Sequence, residues 1–239
     1  MKRSKKWALG LVLILALVIS RNGFGAGPGA ATPAGEIKKV EDATRVLEEM
    51  MKEADKSIPV SLLQRSAGIA IIPDVIKAAF VIGGRHGNGV MLVKGASGAW
   101  SPPAFISITG GSLGWQIGVE SADIILIFRT PRSIENFRKG KFTLGADVGV
   151  AAGPLGRSAE ASTDAELKAE IYSYSRSRGL YVGLSLQGAS ISTDAKANQA
   201  FYGAKDIGPQ AIFEGKAGQG PDAVAKLRQT LERFSKPSR

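Results

Sequence analysis

The side chains of this sequence with the means to do chemistry are a few carboxylates, one histidine and a run of cations. Glu120 and Asp123 precede an apolar run, and Asp147 alternates with glycines. Carboxylates at a defined separation serve as general acid and base, or hold Ca²⁺ through their oxygens. No EF-hand spacing surrounds them, and Asp123 is read as organising the turn before Ile124–Phe128. His86 is the single histidine, and a histidine can carry a proton near neutral pH. Its setting, Gly83-Gly84-Arg85-His86-Gly87-Asn88-Gly89, matches neither GxGxxG nor a P-loop and runs into an apolar strand. A tight hairpin accounts for these glycines and leaves His86 solvated. The chain has no cysteine, which removes thiolate nucleophiles, iron–sulfur clusters, disulfides and cysteine-bearing zinc sites. The reading therefore assigns no catalytic residue, no metal and no cofactor.

The cations are more informative. Arg129, Arg132, Arg138, Lys139 and Lys141 crowd into one segment against Glu135 alone, with Phe137 and Phe142 interleaved. Basic side chains beside exposed aromatics suit an anionic lipid headgroup, at about 1 kcal/mol per well-placed cation. The plain alternative is a solvated helix and turn. A smaller group, Lys168, Arg176 and Arg178, is diluted by Glu166 and Glu170.

Net charge adds less than it promises. The formal value of +10 includes Lys2, Arg3, Lys5, Lys6 and Arg21. These flank an apolar run from Trp7 to Ile19 that small residues follow, the pattern of a signal peptide cut between Gly25 and Ala31. The run is shorter than the roughly 20 residues a spanning helix needs. No cysteine stands there for lipid attachment, so a periplasmic or secreted product is expected. Half the net charge leaves with the leader, which weakens any case for nucleic acid. The boundaries read are a signal peptide over 1–26, a flexible Gly/Ala/Pro leader over 27–35 and a single domain over 36–235.

The elements that would position these groups follow from periodicity. Ile37, Val40, Leu47, Met50, Met51 and Ala54 recur at helical spacing over Glu36 to Asp55, on a helix whose polar face is net acidic. A short helix is expected from Pro59 to Leu63, with Ser57 as its cap. Another opens at Thr130-Pro131 and runs to Phe137, one capped by Thr193 ends at Gly203, and Asp222 to Phe234 is amphipathic. Strands are expected at 68–72, 79–82, 90–94, 104–109, 124–130 and 170–176. Three further segments, 112–119, 143–150 and 180–187, alternate large with small or glycine residues. Glycine on a strand face permits tight curvature or close approach of another backbone. The fold class is α+β: a strongly coiled, mainly antiparallel, barrel-like sheet with Gly-rich strand faces, flanked by N- and C-terminal helices.

Several long segments together resemble one family. "LLQRSAGIAIIPDVIKAAFVIGGRHGNGVML" from Leu62, "SPPAFISITGGSLGWQIGVESADIILIF" from Ser101, "FTLGADVGVAAGPLGR" from Phe142, "IYSYSRSRGLYVGLSLQGASI" from Ile171 and "NQAFYG" from Asn198 resemble the SYLF domain family. The resemblance implies a non-catalytic phospholipid-binding module, known in eukaryotic relatives for phosphoinositides and in a yeast branch for actin filaments. That lipid binding is linked to a basic segment at the N-terminal edge, whereas Glu36–Asp55 is net acidic, so headgroup specificity does not transfer. Actin is not expected as a natural partner of an exported protein. The expectation is an anionic phospholipid surface contacted through Arg129, Arg132, Arg138, Lys139 and Lys141, with no nucleic acid. Two other classes stay open: an envelope enzyme using carboxylate, Ser or Tyr chemistry, and an outer-membrane β-barrel. Against the barrel stand strands of seven or eight residues, where about 9 to 11 are needed, and interrupting helices.

Overall fold

A computed structural model of the chain describes residues 33–52, 57–79, 82–113, 118–138, 141–156, 168–182 and 184–236. The signal peptide, residues 27–32 of the leader, and Lys139 lie outside the described residues. Among those described are six helices, here α1 (Pro33–Met50), α2 (Val60–Arg65), α3 (Pro131–Arg138), α4 (Ala195–Tyr202), α5 (Pro209–Phe213) and α6 (Asp222–Phe234). The strands are β1 (Gly68–Ala79), β2 (Ile82–Val93), β3 (Ala104–Leu113), β4 (Gly118–Phe128), β5 (Lys141–Thr143), β6 (Val150–Ala152), β7 (Ile171–Ser177), β8 (Leu180–Tyr181) and β9 (Ser190–Thr193).

They form one sheet in the order β5-β9-β3-β2-β1-β4-β7-β6, with β8 on β7. All pairings are antiparallel except β6 with β7. Within it β4-β1-β2-β3 is a Greek key. The sheet curls into a half-barrel. Phe128 of β4 and Phe142 of β5 stand far apart in strand order, yet their rings meet edge to face at 6.2 Å. Only curling brings them together, and the face they share is the inner one. The turn between the edge strands β5 and β6 carries an isolated bridge between Leu144 and Val148.

Both faces are buried. Ile69, Ile71, Val90, Leu92, Ile125 and Ile127 pack outward against α1, α2 and α6 through Val40, Leu47, Leu63, Leu227 and Leu231. The alternate residues, among them Ala70, Ile72, Met91, Ile106, Ile124 and Leu126, fill the inside with Ile134, Phe137 and Phe213. This is why "GIAII" and "DIILIF" are continuously apolar rather than alternating: a strand covered twice needs apolar groups at both parities. Outward residues covered by helices also leave no lipid-facing belt in this part of the sheet, as a membrane barrel requires. No helix among the described residues is long and apolar enough to cross a membrane.

Several expectations change. The long strands β1 to β4 run to 10–12 residues, because the glycines at 83–89 are not a hairpin turn but the body of β2. The segment 112–119 is not one strand: Leu113 ends β3 and Gly118 begins β4, which flank the β1–β2 pair from opposite sides. The segment 143–150 turns at Gly145, whose φ of +85° suits glycine. There Asp147 accepts a hydrogen bond from Thr143 N at 2.7 Å. Among the described residues of 180–187, only Leu180–Tyr181 is strand. Helix α1 begins at Pro33, and residues 33–35 of the expected leader are helical. Helix α4 is capped by Asp194, not Thr193: its side chain accepts from Ala197 N at 3.0 Å. Helix α2 begins at Val60, with Pro59 in the N-cap position. Thr130 does meet α3, its hydroxyl oxygen accepting from Ser133 N at 3.4 Å.

Candidate functional site

Strand β1 carries one residue more than its partners. Between Ile71 and Ile76 it spends five steps where β2 spends four, and the register against β4 shifts likewise between Ile72 and Val75. The extra residue is a β-bulge at Pro73-Asp74, with Asp74 at a φ of +48°. Pro73 is tolerated there because a bulge releases a ladder hydrogen bond. One inserted residue reverses which face each later side chain takes. Ile72 points inward before the bulge and Val75 after it. Ile76 is thereby turned outward past the helices, where it is 52% exposed.

Glycines on β2 make room for the bulge. A Cβ on Gly87 would lie 2.7 Å from Val75 Cγ2, and one on Gly89 would collide with Ile71 O. These positions serve close approach, the use of strand glycine that the sequence allowed but that the hairpin reading set aside for this segment. His86, exposed, sits 3.5 Å from Asn88.

Past the bulge, directly opposite residues share a face. Gly110, Arg85, Lys77 and Glu120 stand in one row across β3, β2, β1 and β4. By parity with Val75 the row faces inward, and Arg85, Lys77 and Glu120 line a cleft of about 1250 Å³ that continues over the strand ends to Asp74, Asp123 and Arg176. Apolar Val75, Ile124, Val182 and Leu184 also line it. Lys77 Nζ lies 3.8 Å from Glu120 Oε2. Arg85 Nη1 donates to Ser185 O at 2.7 Å, while its Nε is buried with no partner among the described residues. Burial pushes the Arg85 guanidinium below its ordinary value.

The outward parity gathers a second set. Asp123 Oδ1 accepts from Asp74 N at 3.1 Å, and Arg176 Nη1 reaches Glu49 of α1 at 2.6 Å. Burial, more than the neighbouring charges, raises the Asp123 carboxyl above its ordinary value, and the nearby Asp74 and Glu49 carboxylates add to this. Glu120 and Asp123 therefore do not converge: three positions apart on a strand, they point to opposite faces. Asp147 is occupied by its turn. Among the described residues no group of three or more His, Asp or Glu converges to hold a metal ion.

The basic segment lies elsewhere. Arg132 on α3 and Lys141 on β5 are exposed, and Arg129 donates to Ala169 O at 3.4 Å. The side chain of Arg138 lies outside the described residues. Phe137 and Phe142 are not exposed aromatics: both are buried and meet edge to face at 6.2 Å. They anchor the basic surface to the core and are not themselves available to a bilayer.

"NQAFYG" is structural. Asn198 is fully buried; its Oδ1 accepts from Phe105 N at 2.9 Å and its Nδ2 donates to Phe105 O at 3.2 Å, extending the β3 ladder with a side chain. Phe201 packs on Phe105, Tyr202 Oη donates to Pro103 O at 2.7 Å, and Gly203 closes α4 at a φ of +66°. "IYSYSRSRGLY" similarly docks α1, through Arg176 and through Tyr181 Oη, which donates to Met50 O at 2.6 Å.

A curled half-barrel with its N- and C-terminal helices packed together on its outer face, and with structural residues throughout its long motifs, finds its class by comparison. The Ysc84 family, described as "Las17-binding protein actin regulator", matches residues 109–234. LAS seventeen-binding protein 3 of Saccharomyces cerevisiae is 37% identical over 208 residues, covering 84% of this chain and 45% of the relative. SH3 domain-containing YSC84-like protein 1 of Xenopus laevis is 36% identical over 182 residues, covering 76% and 54%, and that of Homo sapiens 34% over 203, covering 84% and 58%. The chain belongs to the Ysc84 family, the SYLF family of the sequence reading. It spans about half the length of these relatives.

The sequence missed Asp74, Arg85 and Arg176 as members of one region. A signal for Arg85 was present: on the face Gly83, Arg85, Gly87, Gly89 it is the single long side chain.

Proposed function

We propose that this chain is a non-catalytic module that binds anionic phospholipid surfaces, working after export to the periplasm or cell exterior. The observation that carries the reading is the basic surface around α3 and β5. Arg132 and Lys141 are exposed, and no carboxylate pairs with either among the described residues. Their elements are held rigidly by Ile134, Phe137 and Phe142 below. Arg129, Arg138 and Lys139 extend the run in sequence. Membership of the Ysc84 family supports a binding role over an enzymatic one.

Flotation with vesicles tests it. Binding should require anionic lipid and weaken from 0.1 M to 1 M salt, as the Debye length falls from about 10 Å to about 3 Å. Reversing Arg132 and Lys141 to Glu should lower partitioning at least tenfold while leaving the thermal transition in place, since surface charges contribute little to stability. Equal binding to neutral vesicles would end the reading. Cosedimentation with actin filaments in the absence of any vesicle binding would replace it with the activity named in the family description.

A further inference from the structure

We propose that the cleft at the end of the half-barrel binds a single amphiphilic anion, with Arg85 contacting a carboxylate or phosphate head and the apolar wall of Val75, Ile124, Val182 and Leu184 holding an acyl tail. Three independent observations meet here. First, Arg85 is a half-buried cation with no ion pair among the described residues. Its row neighbour Lys77 takes the one carboxylate of the row, Glu120, at 3.8 Å. Its own contacts are one carbonyl, Ser185 O, and a buried Nε left without a partner. A cation removed from water without a counter-charge is costly, and it persists where a ligand supplies the charge. Second, the cleft holds about 1250 Å³ in all, including the part that reaches Asp74, Asp123, Arg176 and Arg178 over the strand ends, which is room for a head at Arg85 and a tail along the apolar wall. Third, the placement is built in. The one-residue bulge at Asp74 turns Lys77 and Val75 inward, and glycines at 87, 89 and 110 keep other side chains off the same face.

This site is distinct from the basic surface around α3, and the two are separable by experiment. The probes are laurate and dodecyl phosphate, with dodecanol as the tail without charge and inorganic phosphate as the head without tail, all below micelle-forming concentrations. Calorimetric titration of the full chain should show one laurate or dodecyl phosphate bound per chain, each raising the melting temperature, with dodecanol and inorganic phosphate at least tenfold weaker. Arg85→Met should lose that binding tenfold or more. It should also melt higher than the wild type without ligand, because a buried unpaired charge has gone; a merely structural Arg85 would give the opposite shift. Arg85→Lys should retain part of the affinity. Flotation with anionic vesicles should be unchanged in Arg85→Met, so failure here and failure of the surface reading are told apart. The assignment is overturned if neither anionic amphiphile binds, if dodecanol or inorganic phosphate binds as tightly, or if Arg85→Met binds laurate like the wild type.

Discussion

Single residues in this molecule are most informative where a polar group is buried. Asn198 supplies the acceptor for Phe105 N and a second donor to Phe105 O, which also accepts from Asp194 N at 2.9 Å. Asn198→Ala should leave Phe105 N unsatisfied in the core and lower stability by about 1–3 kcal/mol in urea unfolding, whereas an exposed change such as His86→Ala should fall within about 0.5 kcal/mol. Asp123 makes a pH-dependent case. Its folded-state pKa is raised, so the folded protein holds the proton more tightly than the unfolded chain. Its ionisation therefore removes stability as pH rises from the ordinary value of 3.8 through the raised one. Asp123→Asn keeps an oxygen to accept from Asp74 N. It should melt higher than the wild type at pH 7, and the gap should close as pH falls below 3.8. A gap that widens as pH falls would mean that Arg45 stabilises the carboxylate more than burial penalises it.

At the scale of the element, the bulge in β1 decides which side chains enter the cleft. Because strand side chains alternate with period two, one residue sets the face of everything that follows. Deleting Asp74 would leave β1 two steps from Ile72 to Val75, the number β4 spends from Ile124 to Ala122, so Val75 and Lys77 would keep their inward face while the kink was lost. The variant's transition should stay cooperative but fall below the wild type, because the room that Gly87 and Gly89 leave for the bulge is no longer filled. Asp74→Gly keeps the residue count and accepts the positive φ, so its transition should remain cooperative. Circular dichroism melts of the two variants check this directly. Helix α1 shows the complementary division of labour: Val40, Val46 and Leu47 are buried, while its acidic face is spent on Lys38, Lys39, Arg176 and Arg233. The net negative charge that the sequence reading set against lipid contact is in part internal pairing.

For the whole molecule, the proposal of export carries its own expected outcome. Protein recovered from fractionated cells should begin between Gly25 and Ala31 and appear in the periplasmic or secreted fraction, by N-terminal sequencing. A full-length product in the membrane fraction would defeat that reading. Helices cover the outer face of the central strands and α3 and α5 seal part of the inner one. Among the described residues, the basic surface and the cleft both lie outside the parts these helices cover.

The sequence by itself determined the classes of chemistry open to the chain, through its single histidine and lack of cysteine. It also determined the α+β class, the four helices of clearest period and the family, because these depend on composition, local periodicity and ordered motifs. The tertiary structure alone decided register and face. Glu120 and Asp123 look like a pair along the chain and are separated by the pleat, whereas Asp74 and Asp123, or Gly110, Arg85, Lys77 and Glu120, are distant in sequence and brought together by strand pairing. Phe137 and Phe142 read as exposed because they are interleaved with cations, yet curling of the sheet places them inside. Glycines at 83–89 read as a turn because a turn and a close backbone approach make the same local demand, a missing Cβ. Only the neighbour across the sheet, one residue too long, distinguishes the two.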